Sequence, residues 1–383
     1  MGVVGKYRRV GGVTIGWPVE PPSPGTRFWA EQILTGLRAN GARIEYRDIP
    51  QHPSTPFHVL LAEIDAGHGT HAVAFDLDDW PEVVEPIAED ALLYFKIQYA
   101  RNGYRQANVV PGGYHLANNI AYRYLPLLRA LRSRRRFRYD VYGRFGLRYG
   151  GMEIRRRAFE LLRAHPEFRF EGSLFRYPGG PDDYPYRRYL FEIPYAKVCI
   201  DMPGAGDLCT RLVDYLAVGA CVVGPPPYTR LPIRLVDGVH VVHCAPDLSD
   251  LGAICAELVR DDAERERIAR NARDFFDRYL HRRRLAAYYL EQIAHASAAT
   301  ASDSQPAGRH IPPPEERLAL DEALASQAGG RRTRPLRRAL PRFAAAAVAA
   351  ITLLVALPEM LGDRPYDPRP SAWIHAATGS HQR

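Results

Sequence analysis

The sequence VCIDMPGAGDLCTRLVDYLAVGACVVGP, residues 198–225, follows the order strand, glycine-rich loop, helix, glycine, strand. Residues 198–200 form a short apolar run between polar neighbours, which is typical of a buried parallel strand. Residues 220–223 form a second run of the same kind. Two buried strands joined by one helix predict a parallel α/β unit, and the rest of the chain is interpreted outward from it.

The helix between these strands is predicted from its leucines. Leu208, Leu212 and Leu216 recur every four residues, so one helical face is expected to pack on a core. Asp207 is predicted to cap the N-terminus, because its carboxylate can accept hydrogen bonds from the first backbone amides. Gly219 is predicted to end the helix, since glycine readily adopts the left-handed conformation that follows many helices.

The loop before this helix and a second helical face are candidates for ligand binding. Gly204 and Gly206 form a tight loop whose amides, with the positive end of the helix dipole, suit a phosphate. Arg211 and Asp214 lie just beyond a strand end, where parallel α/β sheets bind ligands, so both are predicted to contact one. The alternatives are a salt bridge on a solvated helix surface and a purely conformational role for the glycines.

Composition limits the class of protein. The 383 residues suffice for two domains, and the net charge of +8 favours anionic partners. Five cysteines without a CxxC pair indicate buried thiols in a reducing compartment rather than a disulfide framework or a zinc site. The first residues lack the apolar core of a secretory signal, so we expect a cytoplasmic protein.

Short apolar runs alternate with helical segments on both sides of residue 125. This pattern predicts an α/β protein with two Rossmann-like domains, each built on a parallel, doubly wound sheet. The first domain is expected over residues 1–125 and the second over residues 126–298.

The C-terminal part of the chain has a different character. Residues 299–342 are small, polar and proline-rich and include six arginines between positions 331 and 342, so a disordered basic linker is expected. Residues 343–361 begin with the apolar run FAAAAVAAITLLVAL, which predicts a helix. One interpretation is a helix that docks on the protein body or on a partner. The other is a short membrane anchor with a cytoplasmic basic flank, and both remain open.

Residues 138–295 as an ordered series resemble the C-terminal domain of GT-B glycosyltransferases. The similarity is to the group 1 transferases and to the protein O-glucosyltransferase-like group. It is carried by AKVCIDMPGAGDLCTRLVDYLAVGACVVGPP, residues 196–226, and by LVDGVHVVHCAPDLSDLGAICAELVRDDAERERIARNARDFF, residues 235–276. The first 120 residues match the N-terminal domain of these enzymes only in layout.

The resemblance implies two facing Rossmann-like domains, a nucleotide-sugar donor held by the second domain, and no cofactor or obligatory metal. Arg211 matches the family's helix arginine, and Asp214 matches the acidic residue expected to face the donor ribose or sugar. Gly204 and Gly206 match the turn. Group 1 enzymes often carry two glutamates with seven residues between them. Here Gly206 holds the earlier place and Asp214 the later one, which leaves the stereochemical outcome open.

Two arginines near the end of the predicted strand YDVYGRF are further candidates for donor binding. Arg144 and Arg148 are predicted to pair with the donor diphosphate and to stabilise the leaving group, since a guanidinium can bind phosphate bidentately. The alternative is that both are ordinary surface arginines.

The first half of the chain offers two candidate catalytic residues. Asp78 ends an Asp-x-Asp sequence, and we predict that it acts as a base toward the acceptor hydroxyl; a capping loop and a metal site are the alternatives. His115 follows a predicted strand and is a second candidate base, although a lone histidine is more often structural.

These observations predict a glycosyltransferase that moves a sugar from a nucleotide-sugar donor to an acceptor hydroxyl of a glycan, lipid or protein. The alternative is a catalytically inactive GT-B-fold binding or scaffold protein tethered to a membrane. The arginine run at residues 132–138 has no interleaved aromatic beyond Phe137 and no recognised nucleic-acid-binding module around it, so no nucleic-acid partner is expected. An anionic membrane surface is the partner that this run and the C-terminal arginines favour.

Overall fold

The computed structural model describes most of the chain between residues 13 and 301. The described ranges are 13–20, 24–49, 58–65, 69–116, 118–147, 151–175 and 185–301. They form two β-sheets with helices packed on them, and the predicted α/β, Rossmann-like fold is confirmed at this level. Arg148, most of the predicted linker and the apolar residues 343–361 lie outside these ranges.

The first sheet has six strands in the order β2-β1-β3-β4-β5-β6. The strands are β1 (Thr14–Pro18), β2 (Arg43–Arg47), β3 (Val59–Asp65), β4 (Thr70–Asp76), β5 (Leu93–Lys96) and β6 (Val109–Pro111). Strand β3 runs antiparallel to both β1 and β4, whereas the other neighbouring pairs are parallel.

The prediction of a parallel sheet in the first half was therefore wrong at β3. The connection from β3 to β4 comprises only residues 66–69, and a parallel crossover needs a dozen or more residues. A hairpin is the arrangement that so short a connection allows. Because β3 is antiparallel, its start and the preceding His58 lie at the same sheet edge as the carboxyl ends of β4 and β5.

The second sheet has five strands, all parallel, in the order β11-β10-β9-β7-β8. The strands are β7 (Tyr139–Gly146), β8 (Phe170–Phe175), β9 (Ala196–Ile200), β10 (Cys221–Gly224) and β11 (Val242–His243). Strand β8 lies on one side of β7, whereas β9, β10 and β11 follow one another on the other side. The strand order therefore reverses between β7 and β9, which makes this position the switch point of the sheet. In open parallel sheets the crevice at the carboxyl end of such a switch point is the usual ligand site.

Nine α-helices belong to the described ranges. They are α1 (Pro24–Ala39), α2 (Glu85–Asp90), α3 (Asn119–Ser133), α4 (Met152–Ala164), α5 (Tyr186–Glu192), α6 (Thr210–Val218), α7 (Leu251–Arg260), α8 (Asp262–Phe275) and α9 (Arg282–Ala301). A π-helical turn, Phe276–Leu280, connects α8 toward α9. None of the described helices is long and apolar enough to cross a membrane.

Helix α6 follows the predicted pattern with one correction. Its leucines are buried, and Gly219 ends it with a left-handed φ of 85°, as predicted. The helix begins at Thr210 after Cys209, so Asp207 does not cap it. The Asp207 carboxylate instead accepts hydrogen bonds from the amide and hydroxyl of Thr229, at 2.9 and 3.1 Å.

Helix α9 packs against α1 and the first sheet, although it follows the second sheet in the chain. Leu285 and Tyr289 lie in the core of the first sheet, and the Tyr289 hydroxyl donates to the Gly112 carbonyl at 2.6 Å. Gly36 allows the close approach of α1, because a Cβ there would lie 2.8 Å from the Ala286 Cβ. The sequence-based division placed residues 282–298 with the second domain, whereas their core contacts are with the first sheet.

Candidate functional site

The carboxyl edges of the two sheets are in direct contact. Gln98, just after β5, donates its side-chain amide to the Leu208 carbonyl at 2.8 Å and accepts from the Leu208 amide at 3.1 Å. Gly206 fits against this contact because it lacks a side chain: a Cβ there would lie 2.6 Å from the Asp79 carbonyl oxygen and would overlap the Gln98 amide. The predicted glycine loop therefore lies where the two sheets meet.

A second set of backbone contacts joins the same edges. The Arg101 amide donates to the Tyr228 carbonyl at 3.0 Å, and the Arg230 amide donates to the Tyr99 carbonyl at 2.8 Å. The loop after β5 is thus hydrogen-bonded to the loop that follows β10. Together with Gln98, these contacts hold the loops of the junction in one arrangement.

Asp76 and Lys96 form a fully buried ion pair at the edge of the first sheet. Their charged atoms are 3.0 Å apart and both side chains are almost completely enclosed. The Tyr94 hydroxyl donates to one Asp76 oxygen at 2.5 Å, and the Asp78 amide donates to the other at 2.9 Å. Asp76 therefore shapes the loop that carries Asp78. Within the described ranges, no group of three or more His, Cys, Asp or Glu side chains is placed to hold a metal ion.

Asp78, a predicted catalytic residue, lies at this edge and is partly exposed. Its Oδ2 is 3.3 Å from His58 Nε2, and its Oδ1 accepts from the Asp79 amide at 2.8 Å. The imidazole beside Asp78 is thus His58, which the sequence analysis missed because it treated β3 as parallel.

His115, the other predicted catalytic residue, is buried. Its Nδ1 lies 3.0 Å from the Leu116 carbonyl, and its ring packs against Trp29 with centroids 4.8 Å apart. Burial lowers the pKa of His115 to about 4, so the ring is neutral near neutral pH. These contacts match the structural alternative for a lone histidine.

Arg211 connects the carboxyl ends of β7 and β9. Its Nε donates to Asp201 Oδ1 at 3.1 Å, while its two terminal nitrogens donate to the Arg144 carbonyl at 3.0 Å and the Met202 carbonyl at 2.6 Å. All three guanidinium nitrogens thus have protein acceptors, and the residue is 9% exposed. Burial raises the pKa of Asp201 to about 6, against the opposing effect of Arg211 and Arg155.

Arg155 on α4 reaches the same switch point and was not among the predicted site residues. Its terminal nitrogens donate to the Gly146 carbonyl at 2.6 Å and contact Cys209 Sγ at 3.6 Å. Its Nε is buried and has no hydrogen-bond partner among the described residues. A signal existed in the sequence, because Arg155 shares a helical face with the buried Ala158 and Leu162 at i+3 and i+7.

Gly204, the other predicted loop glycine, is half-buried beside Arg155. A Cβ on Gly204 would lie 2.7 Å from the Arg155 Nη2 atom. Glycine at this position therefore leaves the space that the guanidinium occupies.

Asp214 lies three residues after Arg211 on the same side of α6 and is buried among tyrosines. The Tyr186 hydroxyl donates to its Oδ1 at 2.9 Å. Its Oδ2 and the hydroxyls of Tyr189 and Tyr215 are buried and find no hydrogen-bond partner within the described part of the chain. Burial raises the pKa of Asp214 from 3.8 to about 7. A neutral carboxyl group therefore coexists with the charged form near neutral pH.

We expect Asp214→Asn to change how stability depends on pH. Because the folded protein keeps this proton at pH values where the unfolded chain has lost it, wild-type stability falls as the pH rises from about 4 to about 7. Asparagine removes this loss, so the variant should be more stable than wild type by on the order of 2 kcal/mol near pH 8 and equal near pH 4. Urea unfolding at both pH values measures the difference, and parallel pH profiles would contradict it.

Arg144 lies within β7 rather than after it, and its partners are carboxylates. Its Nη2 is 2.7 Å from Glu171 Oε1, and its Nε is 3.1 Å from Glu192 Oε2. The run at residues 132–138 is also partly internal. Arg132 is buried and donates to the carbonyls of Ala196 and Gly219, whereas residues 134–136 are exposed.

A cavity of about 30 Å³ lies under the glycine loop, between the ends of β9, β10 and β11. Its lining includes Asp201, Asp207, Leu208, Leu212 and His243. This volume suits about one water molecule. This cavity is therefore too small to hold a nucleotide.

No protein-family model matches the chain, and no curated protein matches its sequence significantly.

Proposed function

We propose that the protein transfers a sugar from a nucleotide-sugar donor to an acceptor hydroxyl, using the GT-B type of two-sheet architecture. The observation that carries this proposal is the contact between the carboxyl edges of two α/β sheets, with α9 returning from the second sheet to the first. Ligands of open α/β sheets bind at these edges. A reaction between two substrates suits a junction to which each sheet contributes one edge.

The donor diphosphate is proposed to bind at the switch point between β7 and β9. Arg155 supplies a buried guanidinium with an unpartnered Nε there, and α6 begins immediately beside it after Cys209. A guanidinium and a helix N-terminus both favour negative charge. As the sugar leaves the donor, the nucleoside diphosphate gains charge, which these groups would stabilise.

The acceptor hydroxyl is proposed to bind at the facing edge, beside Asp78. Asp78 would accept the proton of the hydroxyl as that oxygen bonds to the sugar carbon. His58 lies against the other side of the carboxylate and orients it. The buried Asp76–Lys96 pair holds the loop in place. Asp78 thus keeps the role predicted for it, and the proposal assigns no role to His115.

Thermal denaturation with nucleoside diphosphates and their sugars tests the proposal. A donor that binds only the folded protein should raise the melting temperature by mass action. Incubating the stabilising nucleotide sugar with candidate acceptors should then release the nucleoside diphosphate. If no nucleotide shifts the melting temperature, the proposed function is refuted.

Replacing Arg155 by lysine should weaken binding of the stabilising nucleoside diphosphate about tenfold, because lysine keeps the charge but has no N–H donor at the position of Nε. Arg156→Lys is the matched control, since Arg156 is an exposed neighbour on the same helix. Calorimetric titration measures both affinities, and the melting temperatures of the ligand-free variants verify folding. Equal affinities would exclude Arg155 as a diphosphate contact.

A second candidate is a binding protein with this fold and no transferase activity. It is favoured by the burial of three predicted donor residues, Arg211, Asp214 and Arg144, in contacts with other parts of the protein. This candidate predicts nucleotide binding without release of product from any donor and acceptor pair. Membrane attachment through residues 343–361 remains a prediction, because these residues lie outside the described ranges. A cytoplasmic location also remains a prediction.

A further inference from the structure

A group of aromatic and arginine side chains borders the junction of the two sheets. We call it the aromatic rim, and it consists of Trp80, Tyr99, Arg101, Tyr104, Tyr228 and Arg230. Trp80 is 51% exposed and Tyr228 is 74% exposed, in contrast to Trp17, which is 4% exposed in the core. Both arginines are exposed, and the other two tyrosines are half-buried. The rim lies on loops after β4, β5 and β10, beside Asp78 and the glycine loop.

The loop that carries Trp80 is fixed to the loop after β5. The Tyr104 hydroxyl donates to the Pro81 carbonyl and accepts from the Ala100 amide, the latter at 3.1 Å. The rings of Tyr99 and Tyr104 meet edge to face with centroids 5.1 Å apart. These contacts join two of the three loops into one surface.

The loop that carries Tyr228 is fixed to the same surface. Arg101 donates through its backbone amide to the Tyr228 carbonyl and through its guanidinium to the Pro227 carbonyl, both at 3.0 Å. On the other side of Tyr228, Thr229 is held by Asp207. The rim therefore has an ordered backbone before any ligand binds, which lowers the entropic cost of binding.

We propose that the aromatic rim binds a saccharide chain. The two faces of a pyranose ring carry C–H groups that pack on an aromatic ring, while its edge carries hydroxyls that need hydrogen-bond partners. Trp80 and Tyr228 offer exposed rings. Arg101, which donates to the Pro227 carbonyl, and Arg230, two residues after Tyr228, offer planar donors on the Tyr228 side of the rim. A surface that presents both aromatic rings and polar groups matches a ligand that has both apolar faces and hydroxyls. It matches a lipid chain poorly, because lipid chains need a continuous apolar lining.

The rim also narrows the acceptor of the proposed reaction. Its position beside Asp78 would bring a hydroxyl of the bound chain to the carboxylate, so the acceptor would be a glycan rather than a lipid or a protein. This assignment of the acceptor rests on the proposed function. The binding of saccharide by the rim does not.

Titration of the full-length protein with hexasaccharides tests the inference. The probes are linear hexamers of glucose, mannose, galactose and N-acetylglucosamine. Their binding is measured by calorimetry and by tryptophan fluorescence. Trp80→Ala and Tyr228→Ala are compared with Tyr46→Ala, which removes a tyrosine that is 55% exposed on the edge strand β2. At least one hexamer should bind wild type and Tyr46→Ala with equal affinity. Its affinity for Trp80→Ala and for Tyr228→Ala should be about tenfold lower.

The inference is overturned if no hexamer binds wild type, or if all three variants bind as wild type does. Recovery of a protein partner whose binding depends on Trp80, with no hexamer bound, would overturn it as well. Melting temperatures with nucleoside diphosphates, measured on the same variants, separate this result from the proposed function. If nucleotides stabilise the protein but no hexamer binds, the transferase proposal is retained and the saccharide inference is refuted. If a hexamer binds but no nucleotide stabilises the protein, the saccharide inference is retained and the transferase proposal is refuted.

Discussion

Replacing Lys96 by methionine should lower the free energy of unfolding by about 3–5 kcal/mol, because it leaves a buried carboxylate without its cation. Lys96 and Asp76 are both enclosed, with their charged atoms 3.0 Å apart, so water cannot replace the lost ammonium group. The Tyr94 hydroxyl and the Asp78 amide still donate to Asp76, but neither carries a compensating charge. Urea unfolding followed by circular dichroism measures the loss.

Lys197→Met is a matched control for this prediction. Lys197 also pairs with an aspartate, Asp140, at 3.1 Å, but both side chains are partly exposed. Its removal should cost no more than about 1 kcal/mol. The double variant Asp76→Asn with Lys96→Met should recover much of the stability lost in Lys96→Met alone. Equal losses for the two lysines would show that the Asp76–Lys96 pair is not buried in solution.

Replacing Arg211 by alanine should also lower the free energy of unfolding, by about 3–5 kcal/mol near pH 8. The change removes three hydrogen bonds that join β7 to β9 and leaves Asp201 without its main ion-pair partner. The loss should be smaller near pH 5, since Arg211 lowers the pKa of Asp201 and its removal raises that pKa further above 6. At the lower pH the carboxyl group is then protonated and carries no uncompensated charge.

Urea unfolding of Arg211→Ala at the two pH values tests this prediction, with Arg156→Ala as the exposed control. The control should stay within about 0.5 kcal/mol of wild type. A stable Arg211→Ala variant with weaker nucleotide binding would contradict the structural role described above. It would instead support the donor contact that the sequence predicts for Arg211.

Local pattern was sufficient to predict the unit formed by β9, α6 and β10. The apolar runs correspond to buried strands, and the leucine spacing identifies the buried face of α6. Gly219 ends the helix because a left-handed backbone favours glycine whatever surrounds it. Features of this kind depend on residues close together in the chain, so they can be predicted from a single sequence.

The catalytic candidates show where local pattern was insufficient. His58 and His115 each lie beside a strand, and only the antiparallel pairing of β3 puts His58 next to Asp78. Arg211 and Asp214 on α6 were predicted to contact a ligand, with a solvated helix surface as the alternative. Both are buried instead, because neighbouring elements cover that side of the helix too. The composition of α6 does not distinguish a polar face that is exposed to solvent from one that packs against other parts of the same chain.

The sequence by itself determined the α/β class, the places of β9 and β10 in the chain and the residue that ends α6, since these follow from periodicity and backbone preference over a few residues. Tertiary structure alone decided which side chains meet at the sheet edges. The pairing of Gln98 with Leu208 and the return of α9 to the first sheet join residues that are far apart in the chain. Such contacts depend on how whole elements pack, which no short stretch of sequence specifies.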